Sequence, residues 1–431
     1  MIVHQAITSQ RLLTYAAAHF DTYCYLNGNN ISYPHGAFPT LMGLAVAEEY
    51  LAVTAHDFSW EAMDLFIQRH RGKHIFSYIN YGLKNHIEQF SERSTDPLAF
   101  PLIHLYVPRY LFVQEDDLSW KAYDKKSEEL IPALLTKPND HSSLPQQPQA
   151  TAPLAQFSHD EYIAIIHRIK AELAQGNIYE INFCNSYSGT YENIDYTSLY
   201  EELNAISPMP FSALYKHKAH VLLSASPERF IQKKNNRLIS QPIKGTAGRL
   251  TDAAEDLKQK QNLEESLKER TENIMIVDLV RNDMSKVCIG GSVIVEELCK
   301  VYTFEKVHQM ISTITGELEQ TNIRFSELLK ALFPMGSMTG APKLKAMQLI
   351  EELEKEDRGL FSGTVGYIQP NGDFDFNVII RSLLFNEKKG LYKFHAGSAI
   401  TMASDAELEY QECDVKTLPI RLLLKKLSDN K

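Results

Sequence analysis

The chain has 431 residues, 44% hydrophobic and 23% charged, the balance of a folded globular protein with one large core or several domains. Its formal charge of -10 excludes the clustered Lys and Arg on which nucleic-acid affinity rests. No apolar run approaches the roughly 18 residues of a membrane span, so neither nucleic acid nor membrane is an expected partner. The five cysteines, Cys24, Cys184, Cys288, Cys299 and Cys413, are odd in number and contain no Cys-x-x-Cys pair. That fits a reducing compartment without a disulfide framework or zinc site. The opening Met1-Ile-Val-His-Gln lacks a basic region followed by an apolar core, and the expected location is the cytoplasm.

In chain order, residues 1–136 mix helix and strand signals around Gly/Asn turns such as Asn27-Gly28-Asn29-Asn30. No chemical constellation stands out in this region. His70 and His74 lack a third ligand nearby, which favours packed or solvated histidines. Residues 137–156 read as a linker, with Pro138, Pro145, Pro148 and Pro153 among Ser, Gln, Asn and Thr. Order resumes at a capping-box spacing, Ser158 and Glu161, followed by a helical face of Tyr162, Ile165, Ile166, Ile169 and Leu173 that Gly176 ends.

Strand signals follow at 177–184, 221–226 and 238–243. The last leads into Gln241-Pro-Ile-Lys-Gly-Thr-Ala-Gly-Arg249. Proline is unwelcome in a central strand and glycine permits close backbone approach, which puts Lys244 at a strand end facing a cavity. An ammonium desolvated there has a lowered pKa and serves as a nucleophile; the plainer alternative is a solvated turn lysine. Residues 252–284 read as helical, with the apolar 274–280 part ambiguous between helix and strand, and with Asp278, Arg281, Asn282 and Asp283 as a satisfied polar network.

Phe333-Pro-Met-Gly-Ser-Met-Thr-Gly-Ala-Pro-Lys343 is a glycine loop opening a helix, suited to a carboxylate or a phosphate, and is not a Walker A loop. Strands are expected at 363–369, 376–385 and 392–402. Arg381 is a lone cation in an apolar run and needs an acid partner, from the protein or from a substrate. Ser404 with Glu407 caps a final helix that carries Glu409, Glu412 and Lys416 on one face. Glu269/Glu272 and Glu409/Glu412 are i, i+3 pairs. Each is either solvated helix surface or, if the two helices meet, half of a Mg²⁺ site.

The segments 241–249, 268–284, 333–343, 358–367 and 396–417 resemble, in order, the motifs of the chorismate-utilising enzymes, over roughly 157–424. Pro-Ile-Lys-Gly-Thr resembles the aminodeoxychorismate synthase component I branch, where anthranilate synthases carry alanine for the lysine. The resemblance implies an α+β fold of two facing antiparallel sheets with helices outside, an N-terminal region at 1–136 and a catalytic region at 157–426. It implies that chorismate and ammonia give 4-amino-4-deoxychorismate for the aminobenzoate and folate route through a covalent Lys244 adduct at C2, with Glu228 as general acid/base.

It further implies Mg²⁺ held by Glu272 and Glu412, supported by Glu269 and Glu409. Substrate contacts would come from Thr246, His308, Ser337, Arg381, Gly397 and Lys416. Glu180, Phe361 and Ala399 depart from the family's Gln, Tyr and Gly. With no glutaminase motif, a separate glutamine amidotransferase subunit is expected to supply ammonia. Without a Leu-Leu-Glu-Ser element, no tryptophan feedback is expected. The alternatives are anthranilate synthase component I, a chain serving both pathways, and a catalytically inactive regulatory homologue.

Overall fold

Long strands of β-branched and aromatic residues pair antiparallel throughout, and their pairings form one unbranched path with short flanking strands. From one end the path runs Glu180–Glu192, Leu391–Ile400, Ser382–Asn386, His220–Ser226, Phe211–His217, Thr22–Asn27 and Leu41–Ala52. From there it continues through Ile103–Gln114, Ile75–Ile79, Thr364–Ile368, Phe374–Asn377, Arg229–Lys234, Arg237–Gln241 and Val307–Glu317. Ile243–Gly248 and Ile294–Thr303 both pair with this last strand. The computed structural model describes residues 7–88, 90, 96–136, 148–320 and 322–428. The first part of the expected linker, 137–147, lies outside them.

Two strands turn this ribbon into facing sheets. Leu41–Ala52 and Ile103–Gln114 pair along almost their whole length, and their register shifts between Val46 and Glu48. Ala45 takes a left-handed φ of 55°. One half of the pair continues the sheet that contains Thr22–Asn27; the other half continues the sheet that contains Ile75–Ile79. A bulge bends and twists a strand, which is how one strand serves two sheets. The α+β class and the paired antiparallel sheets agree with the sequence-based expectation. Strands from 7–136 lie inside both sheets, so the N-terminal and catalytic stretches share their hydrogen-bond ladders.

The helices cover the outer faces. His159–Ala174 starts at the expected capping box, the Glu161 amide donating to Ser158 Oγ and the Ser158 amide to Glu161 Oε2. Its buried residues Tyr162, Ile166, Ile169 and Leu173 lie on the predicted face. The 252–284 stretch is two helices, Ala253–Glu265 and Leu267–Ser285, because Ser266 ends one and its hydroxyl accepts from the Glu269 amide to start the next. Ala406–Ser428 starts at Asp405, whose side chain accepts from the amides of Glu407 and Leu408. Ser404, the expected cap, instead accepts from the Thr401 amide, so the helix starts one residue later than expected.

Candidate active site

The two ends of the strand path meet across a cavity. At one end stands Glu180, first residue of its strand; at the other stands Lys244, second residue of Ile243–Gly248. Pro242 cannot donate to the ladder, so the chain breaks pairing there and re-enters with Lys244 pointing inward. Lys244 is 8% exposed and its Nζ lies 2.9 Å from Glu180 Oε1. The cavity beside this pair measures about 450 Å³ and is lined in part by Glu228, Thr246, Glu269, Glu272 and Ser337. Phe361, Arg381, Gly397, Glu412 and Lys416 also line it. That volume is the size of a small-molecule pocket.

Glu228 sits in the turn between His220–Ser226 and Arg229–Lys234. Its amide donates to Ser226 Oγ, which donates in turn to the Val378 carbonyl, and the Val378 amide donates back to the Glu228 carbonyl. The backbone of the acid is therefore held from both sides. Burial raises its pKa to about 7, against the lowering pull of Ser337, Lys244 and Lys416. A carboxyl poised there is half protonated at neutral pH.

Lys244 corrects one expectation. Burial does pull its pKa down, but Glu180, Glu272 and Glu228 outweigh that and leave it above the ordinary lysine value. The resting side chain is an ammonium. The expected neutral amine would need a site without three nearby carboxylates.

Both Glu-x-x-Glu helices reach the site, so neither pair is solvated surface. Leu267–Ser285 packs on Ile243–Gly248 and Val307–Glu317, while Ala406–Ser428 packs on Leu391–Ile400. Glu272 and Glu409 are 5% and 1% exposed. Burial raises Glu272 to about 8, and burial also raises Glu269. Lys268 enters between the helices, its Nζ 2.8 Å from Glu409 Oε1 and 4.0 Å from Glu272 Oε1. Lys416 lies 2.6 Å from Glu412 Oε1 and donates to the Gly397 carbonyl at 2.8 Å. Lysine ammonium groups thus stand among carboxylates that would otherwise repel.

Among the described residues, the buried oxygens Glu272 Oε1 and Glu409 Oε2 have no hydrogen-bond partner. Hard oxygen donors left over in this way, with Lys268 standing in as the cation, fit a hard divalent ion. Glu409 does not line the cavity and is held by Lys268.

Arg381 has a left-handed φ of 51° in the break between Phe374–Asn377 and Ser382–Asn386, where one continuous strand was expected. Among the described residues its guanidinium makes no hydrogen bond or ion pair; burial lowers its pKa while the Glu412 charge raises it. It therefore faces the cavity as a cation in search of an acid.

His308 does not line the cavity. Its Nε2 lies 3.0 Å from Asp256 Oδ1 and its Nδ1 3.0 Å from Thr303 Oγ1, and the adjacent Gln309 points into the cavity instead. His395, whose ring stacks on Phe361 with centroids 4.4 Å apart, also lines it. Neither Gln309 nor His395 has a sequence signal that sets it apart from its neighbours. Lys268 does: a lysine directly before Glu-x-x-Glu sits on the same helical face as the second acid, at i, i+4.

A family model for chorismate binding enzymes matches residues 24–421. The chain belongs to that family. Among chorismate binding enzymes it is similar to aminodeoxychorismate synthase component 1 of Salmonella typhimurium. The two are 41% identical over 252 residues, 58% of this chain and 55% of that protein. The namesake from Escherichia coli is 40% identical over 59% of this chain and 56% of its own length. The chain thus spans a little over half the length of these relatives.

An anthranilate synthase component I-like protein of Synechocystis is 31% identical over 78% of this chain and 69% of its own. In fold, the chain resembles anthranilate synthase component I from Streptococcus pneumoniae, with a TM-score of 0.76 and 22% identity over 98% of this chain and 99% of that one. The menaquinone-specific isochorismate synthase of Escherichia coli gives a TM-score of 0.75 at 16% identity, over 97% and 92% of the two chains.

Proposed function

We propose that this chain is an aminodeoxychorismate synthase component I, converting chorismate and ammonia to 4-amino-4-deoxychorismate for aminobenzoate and folate synthesis. The observation that carries this reading is the buried Lys244, set on the cavity wall in the same pocket as Glu228. The aminodeoxychorismate synthases to which the chain is similar support it.

Lys244 must first lose a proton, since an ammonium has no lone pair, and Glu180 at 2.9 Å is a ready acceptor. The free amine then attacks C2 of chorismate, the ring double bonds shift, and the 4-hydroxyl leaves as water with the proton of Glu228. Ammonia adds at C4, the electrons shift back, and the C2–N bond breaks to release Lys244. Two displacements replace one difficult direct exchange. Arg381 pairs the enolpyruvyl carboxylate, while Thr246, Ser337, Gly397 and Lys416 shape and polarise the pocket. Gln309 takes the wall position expected of His308.

Glu272 and Glu412, with Glu269 beside them and Glu409 behind, would hold Mg²⁺ once Lys268 swings aside. Bound there, the ion would neutralise the ring carboxylate. Ammonia is supplied by a separate glutamine amidotransferase subunit, and the protein works in the cytoplasm.

The test is the product. Purified protein with chorismate, Mg²⁺ and ammonium should form a compound that becomes 4-aminobenzoate only after an aminodeoxychorismate lyase is added. Fluorescent anthranilate as the main product would replace this reading with anthranilate synthase. Lys244→Ala should lower aminodeoxychorismate formation by about a hundredfold or more, the range of a lost covalent or proton-transfer catalyst, and keep Mg²⁺-dependent chorismate binding. Undiminished turnover in that variant would remove Lys244 from the chemistry.

A further inference from the structure

A second cluster of ligand-type side chains lies away from the cavity. Glu49 stands on Leu41–Ala52, His104 on Ile103–Gln114, and His217 ends Phe211–His217. None of them lines the cavity described above. Their ligand atoms all lie within 4.8 Å of one another, and among the described residues no other three His, Cys, Asp or Glu residues converge so tightly.

Glu49 Oε2 is 3.0 Å from His104 Nε2 and 3.6 Å from His217 Nε2. The longer separation exceeds a hydrogen bond. Both are close to the roughly 3.3 Å between two ligands each about 2.0–2.1 Å from a shared tetrahedral ion. His217 is 2% exposed, yet among the described residues neither of its ring nitrogens has a hydrogen-bond partner. Buried polar atoms are rarely left in that state without a reason.

We propose that Glu49, His104 and His217 bind one divalent ion of the zinc and cobalt class, separate from the carboxylate site in the cavity. Two imidazoles and one carboxylate suit borderline transition ions better than Mg²⁺, which prefers oxygen ligands alone. Metal binding needs only the proton that His104 Nε2 shares with Glu49 to move to Nδ1, beside the Tyr215 hydroxyl. Burial lowers both histidines, His217 to about 3, and the hydrogen bond from His104 holds Glu49 down at about 2. The cluster at neutral pH is thus two neutral rings and one anion.

His104 Nδ1 lies 2.9 Å from the Tyr215 hydroxyl, an outer partner that fixes a ligating ring. The two rings stack at 3.9 Å with planes 21° apart, and since each Nε2 lone pair lies in its ring plane, both rings must tilt toward each other to share an ion. Lys218, 3.6 Å from Glu49 Oε1, is the cation the metal would displace. The ion would tie three strands together, one of them from the catalytic half.

The test uses tag-free, chelator-stripped full-length protein in excess Mg²⁺, which occupies oxygen-only sites. Co²⁺ titration should give visible d–d absorption saturating at one ion per chain, with Zn²⁺ displacing it and raising the melting temperature. Glu49→Gln, at the partly exposed corner of the cluster, should weaken Co²⁺ binding by about tenfold or more, and His217→Asn likewise. Glu272→Gln should leave it unchanged. Wild-type protein that binds neither ion stoichiometrically, or a Glu49→Gln protein that binds Co²⁺ as tightly as wild type, overturns the proposal. Because Co²⁺ and Zn²⁺ binding is read without turnover, its outcome is independent of the chorismate chemistry.

Discussion

At the scale of single residues, the site is governed by competition between burial and neighbouring charge. Glu228 and Lys244 share one pocket and are pushed in ways that keep each protonated near neutrality. A protonated Glu228 is the form that can give a proton to a departing hydroxyl. The kcat/KM for chorismate should therefore fall as pH rises through about 7, the value to which burial lifts this carboxyl in the free protein. Glu228→Gln should remove that alkaline limb and lower kcat by about 10²–10⁴, the usual contribution of general acid–base catalysis. A pH profile that keeps the limb after the substitution would assign it to another group. The pairing of Glu228 and Lys244 was legible only through the family resemblance of their motifs. The direction of the lysine's shift was not, because it depends on Glu180 and Glu272, which lie 64 and 28 positions away along the chain.

Secondary-structure elements set the positions of these groups. The short strand Ile243–Gly248 carries Lys244, and Gly245 follows with a left-handed φ of 85°. A Cβ added at Gly245 would lie 3.0 Å from both Glu269 Oε2 and Leu263 Cδ1. Gly245→Ala should cost about 1–2 kcal/mol through the left-handed backbone alone, read as a lower midpoint in chemical denaturation. It should also raise KM for chorismate more than it lowers kcat, by pressing on Glu269. An unchanged denaturation midpoint would mean that the backbone relaxes at that position.

Helix starts were readable because caps are local: Ser158 with Glu161 is one such case. The wall position of His308 was not. Ten of the eleven residues of Val307–Glu317 are buried or nearly so, which erases the polar–apolar alternation that tells one face of a strand from the other. Gln309 could not be preferred over its neighbour on sequence grounds.

Over the whole molecule, the cavity concentrates acids whose folded pKa values exceed the free value of 4.5, Glu228 at about 7 and Glu272 at about 8. A carboxyl raised on folding contributes stability at pH below its unfolded value and loses it as pH climbs through the folded one. In chelator, the melting temperature should therefore fall as pH rises from about 5 to about 8. Saturating Mg²⁺ should flatten the fall if the cavity carboxylates take up the ion. A melting temperature that rises over that interval would show these acids to be compensated elsewhere.

What the sequence determined by itself was whatever sits close along the chain: the mixed helix-and-strand content, the caps, the Glu-x-x-Glu spacing and the run around Lys244. These follow from neighbouring dihedrals, helical periodicity and local motif order. Only the tertiary structure could bring Glu180 against Lys244, seat Lys268 among the paired acids, and gather Glu49, His104 and His217 from three strands. Such contacts arise where a bent ribbon of sheet returns on itself. Residues more than a hundred positions apart, such as Glu49 and His217, then share a few ångströms that no local pattern encodes.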